Sequence, residues 1–154
     1  MKNTILADPS AERAVLAGLC KYGENAYLDI ADILSSSVFT IDSNQVIYNC
    51  IKHIYEQNNT SEIDLASIYS AAQELGCSEL ISSKEETLHI KAILMFPVEQ
   101  SNLRKFATKI KKLEIAKTIS QQLHIAQQDI ENITGTESIN DILNIAESKV
   151  LDLG

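Results

Sequence analysis

Apolar residues recur at steps of three and four along the stretch from Glu99 to Ile133. In a helix this spacing brings side chains onto one side, so the pattern predicts one apolar stripe along a single long α-helix. No Pro or Gly interrupts the stretch before Gly135, and at about 1.5 Å per residue the helix would be on the order of 50 Å long. The stripe consists of Leu103, Phe106, Ile110, Leu113, Ile119, Leu123, Ala126, Ile130 and Ile133.

A second, shorter apolar pattern follows between Glu137 and Leu153. The link Thr134-Gly135-Thr136 carries the glycine that helix ends favour. Residues 98–154 are therefore predicted to form an antiparallel helical hairpin. The apolar positions of its second helix are Ile139, Ile142, Leu143, Ala146, Val150 and Leu153.

Residues 1–97 are predicted to form a separate helical head, because capping residues and breakers divide them into short amphipathic segments. In the first segment, Gly18 is expected to permit the close approach of another backbone. The second segment is predicted to run from Glu24 to Leu34, and Pro97 ends the last one. The predicted caps are Asp8-Pro9-Ser10, Asp42-Ser43-Asn44, Ile63-Asp64, and Ser82-Ser83 followed by Glu85-Glu86. The fold class is all-α.

Composition agrees with this class, since aromatic residues make up only 5% of the chain and there are five Gly and two Pro. The cysteines Cys20, Cys50 and Cys77 lie far apart and form no CxxC pair, which argues against a disulfide framework or a zinc site. They are interpreted as buried thiols in a reducing compartment. No signal peptide or membrane-spanning run stands out. We therefore expect a soluble, cytoplasmic domain with no membrane partner.

The net charge of −8 makes the chain a poor candidate for general binding to a phosphate backbone. The charge is uneven, however, because residues 104–117, called the basic block, hold six basic side chains and one acidic one. This block is either a solvated helix face or a surface for an acidic partner or nucleic acid. Phe106 is its single aromatic residue, so direct nucleic-acid binding is not expected. The basic residues are Arg104, Lys105, Lys109, Lys111, Lys112 and Lys117.

No catalytic constellation stands out in the sequence. His53, His89 and His124 each stand alone on a predicted helix and are interpreted as surface or hydrogen-bonded core histidines. No HExxH, GxSxG or GxxxxGK[ST] motif occurs, so no catalytic, metal or cofactor site is predicted. The residues by themselves indicate an all-helical interaction module whose hairpin offers apolar surface to a partner.

Several short motifs occur in a set order along the chain. They are Pro9-x-x-Glu12-x-Ala14-Val15-Leu16-Ala17-Gly18-Leu19, Ile30-Ala31-Asp32-Ile33-Leu34 before Phe39, Asn44-Gln45-Val46-Ile47-Tyr48, Ile63-Asp64-Leu65, and Pro97 before Asn102-Leu103-Arg104-Lys105-Phe106-Ala107. Together they resemble the N-terminal domain of DnaB-type replicative DNA helicases, which read P-x-x-x-E-x-A-V-L-G-x-L, H-x-x-I-F, I-D-L/V and P-S-x-x-N-I-x-x-Y-A. Ala17, Asp42, Asn44 and Phe106 replace a usual Gly, Pro, His and Tyr. These departures suggest a divergent branch, such as a phage-encoded one.

The resemblance implies a six-helix head, residues 1–97, followed by the hairpin, residues 98–154. It also implies a collar domain that assembles as a trimer of dimers in a hexamer and recruits DnaG-type primase in DNA replication. The ATPase domain of an ATP-dependent DNA helicase would lie outside this chain, which itself is expected not to be an enzyme. The alternative is a stand-alone helical dimerisation or adaptor protein with no helicase domain.

The apolar positions of the hairpin are the candidate protein-interface residues for self-association. They are Leu103, Phe106, Ile110, Leu113, Ile119, Ile139, Ile142, Leu143, Ala146 and Val150.

Overall fold

The computed structural model describes residues 6–57 and 62–151, with side chains up to Ser148. Within these ranges the chain is helical and contains no strand, which confirms the predicted all-α class. The helices are α1 (Pro9–Tyr22), α2 (Glu24–Ile30), α3 (Asp42–Gln57), α4 (Leu65–Glu74), α5 (Lys84–Met95), α6 (Leu103–Glu131) and α7 (Ile139–Leu151). Short 3₁₀ turns lie at Ser36–Val38, Ser78–Leu80 and Gln100–Asn102.

The chain forms two compact units, which part between Lys112 and Leu113, inside α6. The first unit, Ala7–Lys112, is called the head. It holds α1–α5 and the first turns of α6, because Leu103, Ala107 and Ile110 are buried in it. The sequence-based boundary between residues 97 and 98 falls earlier, at the link before α6. The second unit contains the rest of α6 and α7 and is called the hairpin.

Three helix starts carry the caps that the sequence predicts. A carboxylate oxygen of Asp8 accepts a hydrogen bond from the backbone N–H of Ala11 at 3.0 Å, which caps α1. Asp64 caps α4 and Ser83 caps α5 in the same way, at 2.8 and 3.1 Å. Each cap satisfies one backbone donor that the helix itself leaves unpaired.

The second helix is shorter than predicted. It ends at Ile30 rather than at Leu34, and the backbone N–H of Ile33 turns back to the carbonyl of Ile30 at 3.1 Å. Leu34 is nevertheless buried. The apolar residues after Ile30 therefore reflect burial of a turn in the core, and periodicity alone does not separate this from a continuing helix.

The core of the head surrounds α1, which packs against α2, α3 and α5. Gly18 lies on α1 at a close contact, but the neighbour is the side chain of Leu103 rather than a backbone, so that part of the prediction is wrong. A Cβ atom built on Gly18 would lie 2.0 Å from a methyl carbon of Leu103. The absence of a side chain at Gly18 thus leaves the space that the first residue of α6 fills.

A buried carboxylate joins α1 to α3. Glu12 is 1% exposed, and its oxygens accept hydrogen bonds from the backbone N–H of Thr40 at 3.1 Å, the hydroxyl of Thr40 at 2.5 Å and the side-chain amide of Asn44 at 3.1 Å. The amide oxygen of Asn44 lies 2.7 Å from Nε2 of His89 on α5. Asn44 was predicted as a cap of α3, which is wrong, because its side chain is committed to Glu12 and His89.

Replacing Gly18 by Ala should destabilise the head by about 1–3 kcal/mol, because the added methyl group overlaps Leu103 in a packed core. Leu103→Ala by itself should cost about 2–5 kcal/mol through the cavity that it leaves. The double variant should lose clearly less than the sum, since each change relieves the defect of the other. Urea unfolding of the four proteins measures this, and strictly additive losses would contradict the contact.

The stability of the head should fall as the pH drops from about 7 to about 5. Burial lowers the pKa of His89 below its usual 6.5, with Arg13 also lowering it and Glu86 opposing. The unfolded chain then binds more protons in the window below pH 6.5, so stability is complete above that pH and is lost on descending through it. Urea midpoints at pH 7.5 and 5.5 test this. His89→Gln should flatten the difference, and an unchanged pH dependence in that variant would assign the effect elsewhere.

Candidate interaction surface

The hairpin has no core of its own among the residues that the structure describes. Between Leu113 and Ser148 no described side chain is buried. Isolated helices are marginally stable in water and depend on burying an apolar face. A unit of this kind has an apolar surface that remains to be covered.

Large aliphatic side chains are exposed along both helices of the hairpin. On α6 they are Ile115, Ile119, Leu123, Ile125 and Ile130, which are 37–52% exposed, and on α7 they are Ile139 at 77% and Leu143 at 57%. These seven residues are called the hairpin surface. Single exposed aliphatic residues are ordinary, whereas seven in a unit with no buried described side chain make this unit a candidate for an interaction site.

The turn between the two helices is held by a carboxylate. Glu137 accepts hydrogen bonds from the backbone N–H groups of Thr134, at 3.1 and 3.2 Å to its two oxygens, and of Gly135, at 2.9 Å. These bonds lower the pKa of Glu137, the contact with Thr134 most of all. Gly135 has φ +94°, a conformation that favours glycine. The hydroxyl of Ser138 then accepts from the backbone N–H of Asp141 at 3.0 Å and caps α7.

The predicted single stripe on α6 is wrong, because the apolar residues change sides. Ile110 and Ile119 are nine positions apart, which is about 2.5 turns, so their side chains leave opposite sides of the helix. Ile110 is buried in the head, whereas Ile119 is exposed. The change falls at the step from Leu113 to Ile119, which is six residues rather than three or four and therefore breaks the predicted pattern.

This change of sides divides the candidate interface residues. Leu103 and Ile110 are 3% and 2% exposed and belong to the core of the head, so they present no surface to a partner. Phe106 is partly buried against the same core. We therefore remove Leu103 and Ile110 from the candidate interface.

The other candidates lie in the hairpin. Leu113 and Ile142 are half-buried, whereas Ile119, Ile139, Leu143 and Ala146 are exposed; the side chain of Val150 lies outside the described residues. Sequence reasoning omitted Ile115 and Ile125. Their exposure could have been anticipated only by following the rotation of α6 residue by residue.

The basic block is partly used within the head. Arg104 donates to both carboxylate oxygens of Asp32, at 3.1 and 3.3 Å, and Lys109 lies 2.5 Å from the carboxylate of Asp8. The pKa of Asp32 is lowered by Arg104, and that of Asp8 by Lys109 and then by the N–H of Ala11. These two basic residues anchor the start of α6, which favours a structural role for this part of the block.

The histidines occupy the places expected of surface or hydrogen-bonded residues. His89 bonds to Asn44 as described above, Nε2 of His53 lies 3.1 Å from a carboxylate oxygen of Glu74, and His124 is exposed. In the parts of the chain that the structure describes, no three metal-binding side chains come together. Among the same residues, no helix combines the length and the apolar character that crossing a membrane requires.

An all-helical head followed by an exposed apolar hairpin defines a class of helical association domain. The model of the family described as the DnaB-like helicase N terminal domain matches residues 5–112. The chain belongs to this family, as its motifs predicted.

Comparison of structures agrees with this assignment at the level of the fold. The crystal structure of the N-terminal domain of DnaB helicase from Mycobacterium tuberculosis superimposes with a TM-score of 0.79. The match covers 97% of this chain and 99% of the other, at 15% sequence identity. No curated protein matches the sequence.

Proposed function

We propose that the chain is the collar domain of a replicative DNA helicase, which pairs through the hairpin surface, assembles into a hexamer as a trimer of dimers, and recruits DnaG-type primase. The observation that carries the proposal is the absence of any buried side chain among the described residues 113–148, beside seven exposed aliphatic ones. Membership of the helicase N-terminal domain family supports it.

Self-association of two hairpins is energetically reasonable. Burying a large aliphatic side chain fully is worth about 1.5–3 kcal/mol. Because the seven residues of the hairpin surface are already about half covered, each copy would gain on the order of 5–10 kcal/mol. Association costs roughly 4–15 kcal/mol in lost freedom. The balance favours a dimer at micromolar concentration and requires that apolar contact supply most of the gain.

Charged groups contribute less to this association. Glu147 on α7 is exposed, and an exposed ion pair with the basic block would add at most about 1 kcal/mol. Asp152, which follows Glu147 in the sequence, lies outside the described residues. The proposed dimer should therefore respond little to moderate salt.

In this proposal the chain supplies assembly and recruitment, and the ATP-dependent unwinding of DNA is performed by a helicase domain beyond its sequence, in the cytoplasm. The rival is a stand-alone adaptor that dimerises through the same surface. The two differ in the gene: a P-loop encoded downstream supports the helicase, and its absence supports the adaptor.

Ile119→Asp and Leu143→Asp should each convert the oligomer to a monomer, because a carboxylate would lie unpaired against apolar surface. Light scattering at tens of micromolar protein measures the oligomeric state. Ser120→Asp is the matched control, since it adds the same charge at an exposed position next to Ile119. It should leave the oligomer intact.

Ile110→Asp should behave differently from the hairpin variants. Ile110 is buried in the head, so its replacement should unfold the head at the cost of several kcal/mol rather than merely dissociate the oligomer. A wild-type chain that is monomeric at every concentration would reject the role of the hairpin surface. Equal stability of Ile110→Asp and wild type would reject the placement of α6 in the core.

Primase recruitment is tested with the C-terminal helical domain of the cognate DnaG-type primase. We expect a complex with the wild-type chain by pull-down and calorimetry. Ser120→Asp should retain it, and a loss in Ile119→Asp would link recruitment to the paired hairpins. An intact oligomer that fails to bind the primase domain would reject recruitment while leaving the collar role in place.

A further inference from the structure

Two of the three cysteines meet where α3 packs against the end of α4. Cys50 lies in the middle of α3 and is fully buried. Cys77 follows the end of α4 and packs against the same core. It lines a surface groove together with Val46, Asn49 and His53 of α3. Val46 and Asn49 precede Cys50 by four residues and by one residue, and His53 follows it by three. Cys77 thus lies against the turn of α3 that carries Cys50.

The two thiols differ in access. Cys77 is partly exposed, and the groove beside it, of about 470 Å³, is open to solvent. Cys50 lies behind it with no exposed surface. A small oxidant therefore reaches Cys77 first, and the thiol of Cys50 is the nearest group that can react next.

We propose that Cys50 and Cys77 form an oxidation-sensitive pair, in which a peroxide oxidises Cys77 and the thiol of Cys50 then closes an intramolecular disulfide. In the first step hydrogen peroxide transfers one oxygen to the sulfur of Cys77, giving a sulfenic acid and water. In the second, the sulfur of Cys50 attacks that of Cys77, the S–S bond forms, and the S–OH oxygen leaves as a second water. Two thiols lose two electrons and two protons, and the peroxide is reduced to two waters.

The chemistry of Cys50 suits the second step rather than the first. Burial raises its pKa to about 12, with the charge of Cys77 and a hydrogen bond to it adding to the effect. Thiolate is the reactive form, so Cys50 on its own is inert to oxidants. Contact with Cys77 offsets this, because adjacent groups react with effective concentrations of roughly 10⁵ M or more.

Cys20 provides an internal control. It is buried in α1, where burial raises its pKa to about 12, and it does not line the groove that contains Cys77. It should stay reduced under conditions that oxidise the pair.

The test is to treat the folded chain with hydrogen peroxide, block free thiols with an alkylating reagent under denaturing conditions, and map the cysteines by mass spectrometry without reduction. We expect a monomer lighter by two hydrogens, a Cys50–Cys77 cross-linked peptide and alkylated Cys20. Dithiothreitol should reverse the change. The bridge should also raise the melting temperature by several degrees, because it constrains the unfolded chain.

Single variants separate this pair from general oxidation. Cys50→Ser should accumulate sulfenic acid or higher oxides on Cys77, and Cys77→Ser should leave Cys50 reduced, whereas Cys20→Ser should form the bridge as wild type does. Circular dichroism establishes that each variant is folded. A disulfide between two chains through Cys77, oxidation of Cys20 at the same rate, or a folded wild type whose Cys77 over-oxidises without bridging would each overturn the proposal.

Discussion

The buried carboxylate of Glu12 constrains how the rest of the head can pack, because it needs hydrogen-bond donors inside the core. Moving an unpaired ionised group into a protein interior costs several kcal/mol, so Glu12 requires donors wherever α1 is packed. Thr40, which precedes α3, and Asn44, in the first turn of α3, supply these donors. The chain between α2 and α3 therefore has to pass close to the first turns of α1. His89 extends the same network to α5 through Asn44, so three helices share one set of polar contacts inside an aliphatic core.

Three of the predicted helix caps are confirmed because their cause is local, whereas the cap predicted at Asn44 is wrong. Asp8, Asp64 and Ser83 cap helices because a short side chain bonds to a backbone donor three residues away, and such a signal can be read from neighbouring residues. The partner of Glu12 could not be found in this way, since Asn44 is 32 positions distant. The motifs contain both residues but carry no information on their contact. The same limit applies to Gly18, for which a close neighbour was expected and a backbone was named instead of Leu103.

The prediction of one continuous helix at α6 is confirmed, but the prediction that its apolar residues share one face is wrong. Counting apolar steps treats a helix as a single amphipathic element. Here the first turns of α6 belong to the core of the head, and the later turns expose their aliphatic side chains. The list of candidate interface residues correspondingly included Leu103 and Ile110, which are buried, and did not include Ile115 and Ile125, which are exposed. Tertiary burial, which the sequence does not record, decides between these two uses of the same residue types.

Because the apolar residues of α6 change sides, the number of residues between Ile110 and Ile119 sets the angle around the helix axis between the buried and the exposed side chains. Each residue added to or removed from a helix rotates everything beyond it by about 100° around the axis and shifts it by about 1.5 Å. Between Ile110 and Ile119 there is no glycine, proline or loop to absorb such a rotation. A single-residue insertion there would leave every apolar residue in the chain yet rotate Ile119 and the helical positions after it by about 100° around the axis of α6, relative to Ile110.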